Sequence, residues 1–363
     1  MPIRSRFATQ RANPRAGGRK ALIAVAALLP VGLGLVTATS ATAQQAVHPA
    51  PSVISNAISN GISNAAAGTY SVAPYVDMGE STESLLDTAI TSKGLKSYTA
   101  AFVIGEGCTD IWGDTEPVGN DPYIDPEIAK AKSEGASVII SSGGADGYSI
   151  PWTCTDQSTI DSALQAIVTD YGTNVLDFDI EGGAIADTAS ATRLFTAMKT
   201  LKASNSGLQF SVTMPVLPSG LTGDGVNILK AAQAVGVKID IVNIMAMDYY
   251  QGDQDMGQAA ISAAQATLAQ MQSVDSSYTY ANLGITPMIG VNDDGSTFTL
   301  ANANTVESWA ASNGVGRLAF WSLTRDESCS TSDVAKPASP ASSPSCSGVS
   351  QNPLDFTSAF VPF

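Results

Sequence analysis

Residues 175–183 read Val-Leu-Asp-Phe-Asp-Ile-Glu-Gly-Gly and place Asp177, Asp179 and Glu181 at every second position between apolar residues. On a β-strand successive side chains point to opposite faces, so the three acids share one face and Leu176, Phe178 and Ile180 the other. Neighbouring carboxyls on that face stand only ~7 Å apart along the strand. In a dry pocket three such groups do not all ionise, so a proton is shared and the pKa of at least one is raised. A carboxyl that keeps its proton near neutral pH is a general acid, and Glu181, at the end of the row, is the candidate. Two other readings use the same pattern: the solvated face of an antiparallel sheet, and a three-carboxylate site for magnesium or calcium. Aromatic and amide residues near other strand ends outnumber further hard ligands, so no metal ligand and no cofactor is assigned.

A row of acids facing a dry interior needs a sheet that encloses it. From residue 70 onward, short apolar runs alternate with longer segments of helical periodicity. Strands are predicted at 70–76, 98–104, 137–142, 174–181, 209–215, 239–249, 281–288 and 317–321, and helices at 156–171, 189–203, 225–235 and 257–274 among others. Eight β-then-α units predict an α/β fold of the (β/α)8 TIM-barrel class. An open doubly wound sheet would more often carry a glycine-rich turn after its first strand. In such a barrel chemistry sits at the C-terminal ends of the strands, where Glu181 falls.

The chain before residue 69 reads differently. Arg4, Arg6, Arg11, Arg15, Arg19 and Lys20 precede an apolar run at 21–36 and the small residues Ala41-Thr42-Ala43. This is the order of a secretory signal, over residues 1–43, cut after Ala43; an uncleaved membrane anchor is the alternative, for which the apolar run is short. Residues 44–68, with Ile-Ser-Asn repeated at 54, 58 and 62, are predicted to be a flexible Ala/Ser/Asn-rich linker to a catalytic barrel at 69–363. The whole chain has a formal charge of −15, and its first 43 residues are purely basic, so the remainder is more acidic still. That argues against nucleic acid or anionic lipid as a partner. The single histidine, His48, lies in the linker, which removes histidine from any triad or zinc site in the barrel.

Four cysteines in an exported chain suggest two disulfides. Three pairings are open, and Cys108 with Cys154 and Cys329 with Cys346 is the one expected. The second would close a Ser/Pro-rich insertion at 330–345, after which Leu354, Phe356, Phe360 and Phe363 supply enough apolar surface for a closing helix. Trp112 and Trp152, beside the first pair, are candidate stacking platforms for a sugar or caps on the barrel. Trp309 reads as core.

The acid row resembles the catalytic strand of glycoside hydrolase family 18, the chitinases and endo-β-N-acetylglucosaminidases, whose pattern is Asp-Gly-x-Asp-x-Asp-x-Glu. Asn174 and Val175 stand where the family has its first Asp and Gly, a departure at the deep end of the strand. Ser141-Ser-Gly143-Gly144, ending the third predicted strand, is similar to the family's Ser-x-Gly-Gly. Met245-Ala-Met247-Asp248-Tyr249-Tyr250 is similar to its Met-x-Tyr-Asp segment in either of two registers. The expected one starts at Met247 and keeps the family tyrosine at Tyr249, because methionine cannot supply a phenol hydroxyl. Trp321 matches the tryptophan on which the reacting sugar stacks. Asn292 and Asp293, after the seventh strand, are candidate partners of sugar hydroxyls.

The resemblance implies a retaining hydrolysis without an enzyme nucleophile. In it Glu181 is acid and then base, Asp179 orients the substrate's 2-acetamido group, Asp177 supports Asp179, and Tyr249 hydrogen-bonds the acetamido oxygen. Trp321, Met247, Asn292, Asp293, Trp112 and Trp152 would hold substrate. The expected activity is that of a secreted, monomeric chitinase acting on chitin or N-acetylglucosamine oligosaccharides, with no nucleic acid and no membrane bound after signal cleavage. The alternatives are an endo-β-N-acetylglucosaminidase acting on N-glycans and a non-catalytic chitin-binding barrel of lectin type.

Overall fold

The computed structural model describes residues 70–79, 83–113, 116–252, 254–330 and 342–363. The expected signal, the linker and most of the Ser/Pro-rich insertion lie outside the described residues. The chain runs β1 (Tyr75–Asp77), α1 (Glu83–Lys93), β2 (Ser97–Glu106), β3 (Thr109–Trp112), α2 (Ile124–Ser133), β4 (Ser137–Gly143), α3 (Ile150–Thr153), α4 (Gln157–Asp170) and β5 (Val175–Asp179). It continues through α5 (Thr188–Ser204), β6 (Gln209–Leu217), β7 (Gly220–Leu221), α6 (Gly223–Val235), β8 (Ile241–Met245), α7 (Met256–Val274) and β9 (Leu283–Thr286). The hairpin β10 (Gly290–Val291) and β11 (Thr297–Phe298), then α8 (Leu300–Asn313), β12 (Arg317–Leu318) and a closing helix at Asp355–Phe360 complete it.

Eight strands pair in parallel in the order β1-β2-β4-β5-β6-β8-β9-β12, with β3 and β7 as antiparallel additions to β2 and β6. Backbone bonds from Ala73 to Leu318, Tyr75 to Phe320 and Leu318 to Ser71 join the last strand to the first and close the (β/α)8 barrel. A closed sheet leaves no strand edge, and each strand has one face toward the lumen and one toward the helices. On β5 the helix side carries Leu176 and Phe178, packed in the main core with Phe210, Val212 and Ile244. Its lumen side carries Val175, Asp177 and Asp179. Val175 meets Ala73 and Ile139 in a small apolar layer at the barrel floor.

The helices begin where a side chain can take up their free N–H groups. Asp156, Asp187, Thr222 and Asp255 cap α4, α5, α6 and α7, and Thr299 with Asn302 forms a capping box on α8. The closing helix buries Phe356 and Phe360 completely, the latter stacked on Phe320 at 5.4 Å. Truncating either to Ala would cost about 3–5 kcal/mol. Both expected disulfides are present, Cys108–Cys154 and Cys329–Cys346. Trp309 packs on the core, edge to face with Tyr280.

The predicted strand at 239–249 stops at Met245. Asp248 and Tyr250 adopt positive φ of 48° and 53°, which breaks the extended conformation. The last strand is likewise shorter than predicted, although Trp321 still bridges in parallel to Met288.

Candidate active site

Strand β5 sits between β4 and β6 in a register that places Ser141 and Ser211 beside Asp177, and Gly143 and Thr213 beside Asp179. The close approach at the second level requires glycine. At Gly143, where φ is 117°, a Cβ would lie 2.1 Å from the Asp179 carbonyl oxygen, and at Gly144 a Cβ would lie 2.8 Å from the Phe102 ring. The Gly144 N–H donates to that same Asp179 carbonyl at 3.2 Å. The Ser-x-Gly-Gly stretch is therefore the shape that lets β4 press against the acid row, and its serine donates to it.

Asp177 is 1% exposed and saturated with hydroxyl donors. Its Oδ2 accepts from Ser141 at 2.6 Å and Tyr75 at 2.9 Å, and its Oδ1 from Ser211 at 2.5 Å and Thr213 at 2.8 Å. Four donors on two oxygens are the complement of an ionised carboxylate. Asn243 extends the layer, donating to Thr213 at 3.0 Å and accepting from Thr286 at 2.9 Å. Side chains from β1, β4, β5, β6, β8 and β9 thus share one hydrogen-bonded ring inside the barrel.

Asp179, one step higher, is buried, and its Oδ1 has no hydrogen-bond partner. Burial, then the charges of Glu181 and Asp177, hold its pKa well above the ordinary carboxyl value. Glu181 follows the end of β5 and is pushed up to about 7, first by burial and then by Asp146 and Asp248. Asp248 is itself raised to about 6, chiefly by burial. The row therefore has a donor-saturated carboxylate at its base and two carboxyls of raised proton affinity above it.

These groups open into a cavity of about 250 Å³. Its acids are Asp179, Glu181, Asp248 and Asp293; its aromatic wall is Tyr75, Phe102 and Trp321; Met245, Met247 and Met288 line the rest, with Thr213 and Thr286. Trp321 stacks on Phe102 at 5.6 Å between ring centroids, with planes 15° apart. A second cavity of about 320 Å³, lined by Asp77, Met78 and Asp146 among others, adjoins the first and shares Phe102, Ala145 and Trp321 with it. Among the described residues no group of three or more His, Cys, Asp or Glu side chains is arranged to hold a metal ion.

Of the expected site residues, Asp179, Glu181, Trp321, Met247 and Asp293 line the first cavity, and Asp177 lies beneath it. Three others, Tyr249, Asn292 and Trp152, need correction. Tyr249 is 3% exposed, does not line the cavity and packs in the main core with its hydroxyl unpartnered. The positive φ on either side turns it away, and Asp248 faces Glu181 instead; the register starting at Met245 is the one the site uses. Asn292 is fully buried. Its amide donates to the carbonyls of Met288 and Gly290 and its Oδ1 accepts from Asp248 N–H, so it shapes the loop and does not line the cavity. Trp112, although buried, is among the residues lining the second cavity, and it donates from Nε1 to the Tyr171 hydroxyl at 2.8 Å. Trp152 lines neither cavity; it donates to the Ala184 carbonyl at 3.0 Å and so ties α3 to the loop after Glu181.

The sequence reading missed Tyr75, Phe102, Thr213 and Asp248. Tyr75 and Thr213 were findable, since each sits two residues from another inward position, Ala73 and Ser211. Asp248 belongs to the second of the two registers that the sequence leaves open, the one starting at Met245.

A closed (β/α)8 barrel with stacked carboxyls at the C-terminal end of its fourth barrel strand, beside an aromatic-walled cavity, defines a glycoside-hydrolase type of site. Residues 72–339 match the model of glycosyl hydrolases family 18, and the chain belongs to that family. It is 33% identical over 276 residues to a probable bifunctional chitinase/lysozyme of Escherichia coli strain K12, covering 70% of this chain and 30% of that protein. It is 32% identical over 273 residues to endochitinase 11 of Metarhizium anisopliae, covering 70% of this chain and 52% of that one. The matches thus span about a third to a half of those relatives' lengths. Catalytic-site mutants of active domain 2 of a thermostable chitinase from Pyrococcus furiosus, solved with chito-oligosaccharides, share 29% identity with a TM-score of 0.71. That match covers 81% of this chain and 94% of the Pyrococcus one.

Proposed function

We propose that this chain is a secreted chitinase that hydrolyses β-1,4 bonds between N-acetylglucosamine units with retention, using the substrate's own acetamido group as nucleophile. The observation that carries the reading is the pairing of Glu181, with a pKa of about 7, and Asp179, whose buried Oδ1 has no partner beside the cavity. Glu181 gives its proton to the glycosidic oxygen as the bond to the anomeric carbon breaks, and the acetamido oxygen bonds to that carbon from the opposite face. The leaving sugar departs with a new hydroxyl. In the oxazolinium that remains, Asp179 takes the amide N–H on its free oxygen and offsets the positive charge. Glu181, now a carboxylate, draws a proton from a water whose oxygen attacks the anomeric carbon, which restores the acetamido group and the acid. Asp177 lies below, where its two oxygens accept from four hydroxyls, and supports Asp179. Trp321 offers a flat apolar face for the reacting ring.

The relatives' names support chitin as the substrate class. Export is supported by the basic-then-apolar order of residues 1–43 and by two disulfides. No described helix is long and apolar enough to cross a membrane.

The test is product analysis of the purified protein on chitin oligosaccharides and on a high-mannose glycoprotein, with Glu181→Gln alongside. The expected result is shorter chito-oligosaccharides released first as the β-anomer, with turnover at least ~100-fold lower in the variant. Cleavage confined to the glycoprotein, or full activity in Glu181→Gln, would overturn the reading. N-terminal sequencing of protein recovered from the medium is expected to begin at Gln44.

A further inference from the structure

Beneath the acid row lies a cation that the mechanism above does not use. Arg317, on β12, is 4% exposed at the barrel floor. Its Nη1 donates to the Ser211 hydroxyl at 2.8 Å, and that hydroxyl donates to Asp177 Oδ1 at 2.5 Å. The donor directions run one way, from guanidinium to hydroxyl to carboxylate. A serine hydroxyl has one proton, so with Arg317 donating to it, its own proton is committed to Asp177. The rest of the guanidinium is anchored locally, with Nε donating to the Tyr70 carbonyl at 3.3 Å.

The charges around this relay can be stated. From β5 and the residues just after it come Asp177, Asp179 and Glu181. The loops after β4 and β8 contribute Asp146 and Asp248 at the mouth. The phenols of Tyr70 and Tyr75 lie beside the floor and the base of the row, and Asp240 at the floor is paired with Lys202 at 2.6 Å. Burial pulls the Arg317 pKa down, and Asp177 is the foremost charge holding it up.

We propose that Arg317 is a positioning residue for the hydrolysis: from the barrel floor, through Ser211, it keeps Asp177 a carboxylate and confines the transferable proton to Asp179 and Glu181. The inference deepens the proposed function and rests on it for its kinetic readout. Without the cation, Asp177 competes for the proton, and the whole row binds protons more tightly because its negative charge is no longer offset. Arginine suits the place because its guanidinium stays charged where a buried lysine would tend to lose its proton, and its fork serves Ser211 and Tyr70 together.

The experiment compares Arg317→Met, Arg317→Lys and Ser211→Ala with the parent chain. The kinetic readout is the pH profile of kcat/KM on a chito-oligosaccharide. The second, independent of activity, is the infrared titration of protonated buried carboxyls. The expected result is an upward move of both limbs by about 1 pH unit in Arg317→Met, the same direction in Ser211→Ala, and a smaller move in Arg317→Lys, whose buried ammonium keeps its charge only in part. The infrared titration is expected to move in parallel. Limbs that stay fixed in a folded Arg317→Met would overturn the proposal. If Arg317→Met does not fold, Arg317→Gln, which keeps a donor for Ser211 and loses the charge, is measured in its place, and fixed limbs there overturn the proposal. If the parent cleaves no chito-oligosaccharide, the proposed function fails, and the infrared titration still decides whether Arg317 sets the charge of the row.

Discussion

Glu181 and Asp248 face the same cavity from beyond the ends of β5 and β8, and the charge of Asp248 is among those that lift Glu181 to about 7. Asp248 is not free to swing away, since its Oδ1 accepts from Asp294 N–H at 3.1 Å. Asn at this position keeps that acceptor and loses the charge. Removing a negative neighbour lowers the proton affinity of Glu181, so the limb above which the acid is lost moves to lower pH. Asp248→Asn is expected to shift the alkaline limb of kcat down by roughly 0.5–1 unit. Asp146→Asn, on the opposite loop, is expected to act in the same direction, and a profile unchanged in both would mean that neither charge reaches Glu181.

The same raised acids carry a cost in stability. A carboxyl whose folded pKa lies above its unfolded value binds its proton more tightly when folded, so the unfolded chain sheds it first as pH rises. For Glu181 the folded value is about 7 against 4.5 for the unfolded group. Its contribution is fully present below about pH 4.5 and is lost as pH rises through 7. Glu181→Gln removes the titration, so it is expected to be more stable than the parent at pH 8 by roughly 2 kcal/mol, after a discount for partial solvation, and nearly equal at pH 4. Denaturant unfolding at the two pH values measures the difference, and an equal offset at both would disconnect it from the carboxyl.

Trp321 presents a flat ring to the cavities. It stacks on Phe102, lies 6.2 Å from Tyr75 and lines both cavities. Trp321→Ala is expected to raise KM for short oligosaccharides roughly tenfold or more while the pH limbs set by Glu181 stay in place. Trp321→Phe, which keeps a ring on Phe102, should recover part of the loss. A fall in kcat with KM unchanged would assign the indole to the chemical step.

The fold was legible because the barrel imposes two rules on every strand: an apolar outer face against the helices, and an inner face whose members recur at every second residue. Asp177, Asp179 and Glu181 obey the second rule, and so do Val175 below them and Ser211 and Thr213 on the next strand. Legibility ends where the strands do. Past Met245 the chain takes positive φ at Asp248 and Tyr250, period-two reasoning fails, and the neighbouring Asp248 and Tyr249 exchange expected places. The same holds at Asn292 and Asp293, of which the first turns inward to the loop's carbonyls and the second lines the cavity. Trp112 and Trp152 are held by contacts that no local pattern shows. Their partners, Tyr171 and Ala184, are 59 and 32 residues away, and nothing local announces them.

The loop that carries Asp293 is braced from behind, and the brace gives the last prediction. Arg325, 1% exposed, donates from Nη2 to the carbonyls of Ile289 at 2.9 Å and Val291 at 2.7 Å, and from Nη1 to that of Ser343. Val291 N–H in turn donates to the Ser347 carbonyl at 2.7 Å, and Ser342 donates to Asp293. The Cys329–Cys346 bridge, 17 residues apart in sequence, holds Cys346 and Ser347 in reach of these contacts. Replacing both cysteines by Ser is expected to cost roughly 3 kcal/mol of stability. It is also expected to raise KM, because Asp293 loses its support, while the Glu181 limb stays where it was. Removing Cys108–Cys154, which closes a loop of 46 residues away from Asp293, is expected to cost more stability, roughly 4 kcal/mol, with less change in KM. Unfolding curves and KM measured on both pairs of variants separate the two roles: if KM follows stability in each, the second bridge is only a staple.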